Sequence, residues 1–280
     1  MEELKPTTIE QEAVIDTITD NAPKAKKSLS ALGIVLITLC VALIATAVFV
    51  AIKTVPGILM KMNVLAEARE TNGDTASLYV LAKEYPYSND NSTVENGFEI
   101  SNDYFSLIIP KEMMLKDDSE NNSMYVLGEN EHVLLLHKTF MYIVTDEPGD
   151  SEMSADEIDA LFTKHTGKRY PRNIRELNEL IFSYTPDDFN IWDTEQCVVM
   201  AIIMSMKSIM VENVIEFYYY EKDGITAQVI AMRTTEKTSY IIEVYNLQPE
   251  KSCGFLCIDK TNQNRETIFK IINSIKLKQG

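Results

Sequence analysis

The longest uncharged stretch of the chain lies near its N-terminus and constrains where everything after it can reside. Residues 29–52 carry no charged side chain. An α-helix of this length rises about 36 Å, whereas the hydrocarbon core of a bilayer is about 30 Å thick. The sequence therefore predicts a transmembrane helix over residues 29–52, with the lipid bilayer as its partner.

Two kinds of processed signal sequence are alternatives to an uncleaved transmembrane anchor. Cys40 would be lipidated in a lipoprotein, but Leu39 stands where the processing peptidase needs a small side chain. Cleavage after Ala47 fits the small-x-small pattern that signal peptidase accepts, yet the long acidic stretch before the apolar run is atypical of a secretory signal. We favour an uncleaved anchor, with cleavage after Ala47 as the alternative.

Basic residues set the predicted orientation. They flank the span on both sides, at Lys24, Lys26, Lys27, Lys53, Lys61 and Arg69. The first three crowd against the boundary, and a long folded domain translocates largely regardless of its charge. We therefore expect residues 1–28 to form a cytoplasmic tail at the plasma membrane and the C-terminal part to be extracytoplasmic.

The remainder of the chain divides into a stalk and a domain. Pro56-Gly57 interrupts the apolar pattern, residues 58–70 and 75–84 have helical character, and residues 85–97 are rich in turn-forming side chains. These features predict a helical stalk and linker over residues 53–96. Residues 97–280 are long enough, in a chain with 45% hydrophobic residues, to form one domain with a substantial core.

Hydrophobic periodicity predicts an α+β domain, an antiparallel sheet flanked by helices. Alternating patterns indicate strands at residues 98–101, 104–109, 123–127, 132–144, 211–221, 226–233 and 239–247. Helical patterns and caps indicate helices at residues 154–164, 172–183, 186–209 and 264–272.

Two short segments carry a resemblance to a known family. The run Tyr104–Pro110 near the start of the domain and the run Ile268–Leu277 at its end resemble segments of the PsbP-like α/β sandwich. The resemblance covers about residues 97–279. It implies an antiparallel sheet flanked by helices that more often binds or scaffolds than catalyses, and it carries over no ligand-binding residue.

Charge and cysteine content exclude several functions. A net charge of -16 argues against nucleic acid, which is bound through excess Lys and Arg. Cys253 and Cys257 lack the second pair of ligands that a zinc site needs, and Cys197 fits a buried apolar position. Whether Cys253 and Cys257 form a disulfide is left open at this point. No metal or cofactor site is predicted.

The histidines give little support for acid–base chemistry. His132 and His137 are five residues apart on one predicted strand, so they face opposite sides of it and cannot share a metal. His165 lies at a predicted helix end, where a cation meets the negative end of the dipole. We expect structural roles for all three.

Acidic clusters offer two weak candidate sites. Asp146, Asp150 and Glu157 have the spacing of calcium-loop ligands, but Pro148 stands at the third ligand position, and a capped helix explains Glu157 equally well. The second cluster, a candidate for an envelope hydrolase, consists of Asp117, Asp118 and Glu120. Neither cluster is assigned a catalytic or metal role.

One aromatic run permits two interpretations. Residues 217–220, with sequence Phe-Tyr-Tyr-Tyr, would suit a groove for a peptide or glycan. Because side chains alternate along a strand, we prefer the interpretation that half of the run is core.

The sequence predicts a single-pass membrane protein with an acidic extracytoplasmic domain, not an enzyme. Its expected role is a binding, scaffolding or sensing module at the cell envelope, with an envelope protein or glycan as partner. The first alternative is a transmembrane regulator that docks a cytoplasmic partner through residues 7–20, where apolar residues line one side of a short helical pattern. The second is the envelope hydrolase.

Overall fold

Five helices and twelve strands build the part of the chain that the structure describes. The computed structural model describes residues 31–87, 92–129, 131–139, 141–142, 153–210, 212–248 and 251–278. The helices are α1 (Ala31–Asn72), α2 (Ala155–Thr166), α3 (Ile174–Ile181), α4 (Thr194–Met210) and α5 (Arg265–Asn273). The strands are β1 (Ala82–Glu84), β2 (Phe98–Ser101), β3 (Phe105–Ile109), β4 (Met114–Asp118), β5 (Asn122–Leu127), β6 (His132–His137), β7 (Met141–Tyr142), β8 (Val214–Lys222), β9 (Ile225–Arg233), β10 (Thr238–Gln248), β11 (Lys251–Asp259) and β12 (Lys276–Leu277).

The chain separates into two units between Val48 and Phe49. In the first, the described residues are those of α1 up to Val48. Every described side chain of α1 from residue 38 to residue 53 is exposed. Among the described residues, α1 is the one helix that is long and apolar enough to cross a membrane, judged by length and composition over Thr38–Asn72.

Helix α1 continues through Pro56, although the sequence predicted a break there. Proline removes one helical N–H donor and usually kinks or ends a helix. Gly57 has a packing reason to follow it, because a Cβ atom at this position would lie 2.8 Å from Cys197 Sγ and 3.0 Å from Ile191 Cα. The Pro-Gly pair therefore marks a close contact of the helix with Ile191 and Cys197, not the end of the helix.

The second half of α1 belongs to the core of the second unit. Val64 and Ala68 are buried. Asn72 Nδ2 donates a hydrogen bond to Ser208 O at 3.0 Å, which ties the end of α1 to α4. Leu78, beyond the helix, is also fully buried. The described residues between 53 and 96 lie in the same compact unit as the described residues that follow them.

The large sheet is mixed, which corrects the expectation of a purely antiparallel sheet. Its nine strands have the order β1-β8-β9-β10-β11-β6-β5-β4, with β7 also paired to β11. The short strand β1 pairs with β8 in parallel, and the other pairings of this sheet are antiparallel. A second, three-stranded sheet has the order β12-β3-β2.

Both faces of the large sheet are covered by apolar side chains. On one face, the small sheet and α5 contribute to a cluster that includes Phe105, Phe255 and Phe269. On the other face, α1, α2, α3 and α4 contribute to a second cluster. Strand β8 contributes side chains to both clusters. Phe217 belongs to the second cluster, where its ring stacks on Phe182 with 4.0 Å between ring centroids. Tyr218 and Tyr220 belong to the first cluster.

Several elements differ from the sequence prediction. The predicted helix over residues 75–84 is a 3-10 turn at Ala76–Tyr79 followed by strand β1. The predicted helix over residues 186–209 is a 3-10 turn at Pro186–Asp188 followed by α4, which begins only at Thr194. Strands β4 and β11 were not predicted. Gly254 interrupts the β-forming pattern of β11, yet it is required there because a Cβ atom would lie 1.8 Å from Ile242 O on β10.

Candidate functional site

A small cavity opens between α5 and the large sheet. We call it the His132 cavity, and its volume is about 240 Å³. Most of its lining is apolar, including Met113, Leu134 and Ile268, and its polar lining residues include His132, Cys257 and Asn264. Apolar pockets with a few polar groups are the usual form of small-molecule sites.

Strand register brings the polar residues of this cavity together. His132 begins β6 and is the register partner of Asp259, the last residue of β11. Cys257 lies two residues before Asp259, so the pleat places it on the same face of the sheet. The cluster therefore results from the pairing of β6 with β11 and involves one His, one Cys and one Asp.

The imidazole of His132 has an unsatisfied nitrogen. The residue is only 8% exposed. Its Nε2 atom lies 3.6 Å from Asp259 Oδ1, which is too long for a hydrogen bond, and it has no hydrogen-bond partner among the described residues. Since a buried polar atom without a partner costs about 1–3 kcal/mol, a ligand that hydrogen-bonds to Nε2 would recover that energy.

The carboxylate of Asp259 is already engaged in shaping the loop before α5. It accepts hydrogen bonds from Asn264 N at 2.7 Å, from Thr261 N at 3.0 Å and from Thr261 Oγ1 at 2.8 Å. Burial raises the pKa of Asp259, but the hydrogen bonds from Asn264 and Thr261 outweigh it and hold this pKa below its usual value. Asp259 is thus an ionised structural residue that holds the loop before α5, next to His132 and outside the lining of the cavity.

The cluster lacks an activated nucleophile. Complete burial raises the pKa of the Cys257 thiol far above its usual value. A thiol must lose its proton to act as a nucleophile, and reactive cysteines lie in electropositive, partly exposed surroundings. The His132 cavity therefore has the geometry of a binding site and lacks the electrostatics of a Cys-His-Asp catalytic site.

A larger cleft lies beside α3. It has a volume of about 560 Å³ and lies between that helix and the edge formed by β1, β8 and β9. Arg175 Nε donates to Glu179 Oε1 at 2.9 Å, and Lys168 Nζ donates to the backbone oxygen of Glu179 at 3.4 Å. Charged side chains form much of the lining of this cleft, in contrast to the mostly apolar lining of the His132 cavity.

A buried lysine joins α4 to the neighbouring loops. Lys207 is fully buried, and its Nζ atom donates hydrogen bonds to Val80 O at 2.6 Å and to Tyr184 O at 2.8 Å. The same atom lies 5.4 Å from the centroid of the Phe182 ring. Burial lowers the pKa of Lys207 to about 7, against a weak opposing effect of Asp188. With both acceptors on the backbone, Lys207 has a structural role.

The other two histidines have separate surroundings. His137 Nδ1 lies 2.8 Å from Asn122 Oδ1, and burial lowers its pKa. His165 lies near the end of α2, with Nδ1 3.8 Å from Asp193 Oδ2 and Nε2 3.5 Å from Glu195 Oε2.

Of the two acidic clusters, only the second is fully within the described residues. Asp117, Asp118 and Glu120 are exposed, and the first two lie on the outermost strand β4. The hydrogen bond from Lys138 is the main cause that lowers the pKa of Asp118. Asp146 and Asp150 lie outside the described residues, whereas Glu157 forms the predicted capping box with Ser154. Within the described ranges, no group of three or more His, Cys, Asp or Glu residues could hold a metal ion.

The cysteines of the described residues are free. Cys197, Cys253 and Cys257 are buried, and Cys40 is exposed. Cys253 and Cys257 share one strand and are therefore separated by about 13 Å, which is too far for a disulfide. In the aromatic run over residues 217–220, Phe217, Tyr218 and Tyr220 are buried, so more of the run is core than the half that was expected, because both faces of β8 are covered.

The polar cluster of the His132 cavity was missed from the sequence. Its one local sign is the alternation Cys257-x-Asp259, which implies a shared face only once β11 is recognised as a strand. His132 was considered but assigned a structural role. Comparison with protein-family models and with curated proteins found no match for this chain.

Proposed function

We propose that this protein is a single-pass membrane protein whose extracytoplasmic α+β domain binds a small ligand in the His132 cavity and acts as a binding or sensing module at the cell envelope. The unbonded Nε2 atom of His132, buried at an apolar cavity, is the observation that carries the binding function. The exposed apolar surface of α1 supports the anchor. In this proposal the domain is a PsbP-like sandwich and the N-terminus is cytoplasmic.

The expected ligand is small and mostly apolar. A volume of about 240 Å³ suits a molecule of a few ring atoms, and one polar group is needed to pair with His132. The raised pKa of Cys257 favours binding over covalent chemistry. A hydroxyl group on such a ligand would pair with Nε2 in either tautomer of His132, because it can donate or accept, whereas a carbonyl group would pair only with an Nε2–H donor.

Histidine-selective NMR of the full chain in detergent micelles tests the binding site. The protein has three histidines, so each imidazole gives a separable signal. Phenol, used as the probe, should shift the signal of His132 and leave those of His137 and His165 in place. In a His132→Leu variant, saturable broadening of the phenol resonances themselves should be lost. Phenol shifts that are equal for all three signals, or absent at His132, would count against the site.

Reporter fusions test the topology separately. A reporter that is active only outside the cytoplasm, fused after Gly280, should be active, and the same reporter fused before residue 29 should be inactive. The opposite pattern would refute the proposed orientation. Neither result depends on ligand binding, so the two parts of the proposal are judged independently.

A further inference from the structure

The single tryptophan of the chain is held outward by a well-bonded loop. Trp192 is 58% exposed. The loop is closed by hydrogen bonds to Asn190 O from Asp193 N at 2.9 Å and from Cys197 Sγ at 3.2 Å. Asn190 N in turn donates to Gln196 Oε1 at 2.9 Å. Because the backbone of residues 190–193 is tied down in this way, the indole ring stays at the surface and cannot be withdrawn by a simple loop movement.

This loop contacts α1 just beyond the uncharged run. A Cβ atom at Gly57 would lie only 3.0 Å from both Cα and O of Ile191, the residue before Trp192. Gly57 follows Ile52, the last residue of the uncharged run, by about 7.5 Å along the helix axis. The backbone next to Trp192 therefore lies within about two helical turns of the end of the predicted span.

That distance corresponds to the headgroup layer of a bilayer. The hydrocarbon core is about 30 Å thick and the whole bilayer about 40–45 Å, which leaves about 5–8 Å of headgroup region on each side. Tryptophan is enriched at this depth because its ring is apolar and its N–H can hydrogen-bond. The exposed cation Lys53 stands at the start of this layer.

Apolar side chains of α1 continue the exposed surface through the same depth. Ile52 is 68% exposed, and beyond it Val55, Ile58 and Leu59 are 45%, 40% and 52% exposed. They leave the membrane-proximal part of the second unit with an apolar surface that is continuous with the predicted span. A bilayer already crossed by α1 would cover this surface, with no second protein required.

We propose that Trp192 inserts into the headgroup region of the bilayer that α1 crosses, so that the loop at residues 190–193 is a second membrane contact of the domain. The inference rests on the proposed crossing by α1. Its occupant is the interfacial region of zwitterionic lipid, because Asp193 in the loop opposes anionic headgroups, whereas Asp187 is paired with Lys61 Nζ at 3.5 Å.

Lipid-attached quenchers test this contact in the full chain reconstituted into phosphatidylcholine vesicles. Because the protein has one tryptophan, fluorescence excited selectively at tryptophan reports on Trp192 alone. A nitroxide placed near the headgroup should quench it at least about threefold more than a nitroxide at the end of the acyl chain, as expected for an interfacial ring.

A relocated tryptophan provides the matched control. In a double variant, Trp192→Phe with Tyr79→Trp, the reporter lies at a residue that is 44% exposed. Asn72, the last residue of α1, lies about 22 Å beyond Gly57 along the helix axis, and Tyr79 comes after it in the chain. The tryptophan introduced at position 79 should therefore be quenched by neither nitroxide lipid.

Alkaline carbonate washing distinguishes failure of the α1 anchor from failure of the Trp192 contact. If the wild-type chain resists extraction but Trp192 is quenched only by a water-soluble quencher, the membrane contact is refuted and the anchor stands. If carbonate extracts the chain, the anchor is refuted and the contact with it. Equal lipid quenching of Trp192 and of the tryptophan at position 79 would also overturn the inference.

Discussion

Replacing the buried Lys207 with Met should abolish one component of the pH dependence of folding. Burial lowers the pKa of Lys207 to about 7 from an ordinary value of 10.5. Between these pH values the unfolded chain binds a proton that the folded chain lacks, so the free energy of unfolding rises with pH by up to about 1.4 kcal/mol per pH unit. From pH 7 to pH 9 this one group contributes about 2 kcal/mol of increasing stability.

The Lys207→Met variant removes the titrating group and keeps a side chain of similar length. At pH 7 two effects oppose each other, because Val80 O and Tyr184 O lose their donor while the cost of a buried charge disappears. We expect the variant to be within about 2 kcal/mol of wild type at pH 7 and to fall about 2 kcal/mol further behind by pH 9.

Urea unfolding of the full chain in detergent, followed by far-ultraviolet circular dichroism at pH 7, 8 and 9, measures this difference. Tyrosine and cysteine titrations contribute equally to both proteins and cancel in the comparison. A Lys111→Met variant serves as the control, since Lys111 is exposed and its removal should leave the pH dependence of wild type. A difference between wild type and Lys207→Met that stays constant with pH would refute the reasoning.

Three further substitutions follow from packing and burial. Gly57→Ala should destabilise the protein by about 1–3 kcal/mol in urea unfolding, because the added Cβ would crowd Cys197 and Ile191. This crowding outweighs the helix propensity of alanine, which is about 1 kcal/mol better than that of glycine. As a control, Ala66→Gly at an exposed position of the same helix should cost only that difference in propensity. Gly254→Ala should cost more than about 3 kcal/mol or prevent folding, since its Cβ would overlap a backbone oxygen of β10, and a near-native melting curve would contradict this. Burial raises the pKa of Glu243, so the folded state binds the proton of this carboxyl group more tightly than the unfolded state does. Protonation of Glu243 therefore stabilises the fold at low pH, and this stabilisation is lost as pH rises through the folded-state pKa. Glu243→Gln keeps a partner for Tyr245 Oη and should therefore be more stable than wild type at pH 8 but not at pH 4, as judged by unfolding at both pH values.

Local patterns predicted the elements whose causes are local. The capping box of Ser154 with Glu157 begins α2, close to the predicted start of that helix, because it depends on residues within one turn. The hairpin at Asp223-Gly224 joins β8 and β9, with both residues at positive φ as this turn type requires.

The candidate site could not be predicted in the same way. Its polar residues come from β6 and β11, which are distant in sequence and meet only through strand pairing. Gly254 obscured β11, because a glycine inside a strand lowers the local β signal even where a neighbouring backbone requires it. Without that strand, the shared face of Cys257 and Asp259 was not visible.

The sequence by itself determined that one segment is apolar and long enough to cross a bilayer, that the remainder is an α+β domain, and that the chain is strongly acidic. These properties depend on composition and on side-chain periods of a few residues. Only the tertiary structure decided that α1 continues through Pro56 into the core, that β1 adds a parallel strand, and that His132 faces an apolar cavity. Each of these depends on contacts between distant residues, whose packing overrides local preference.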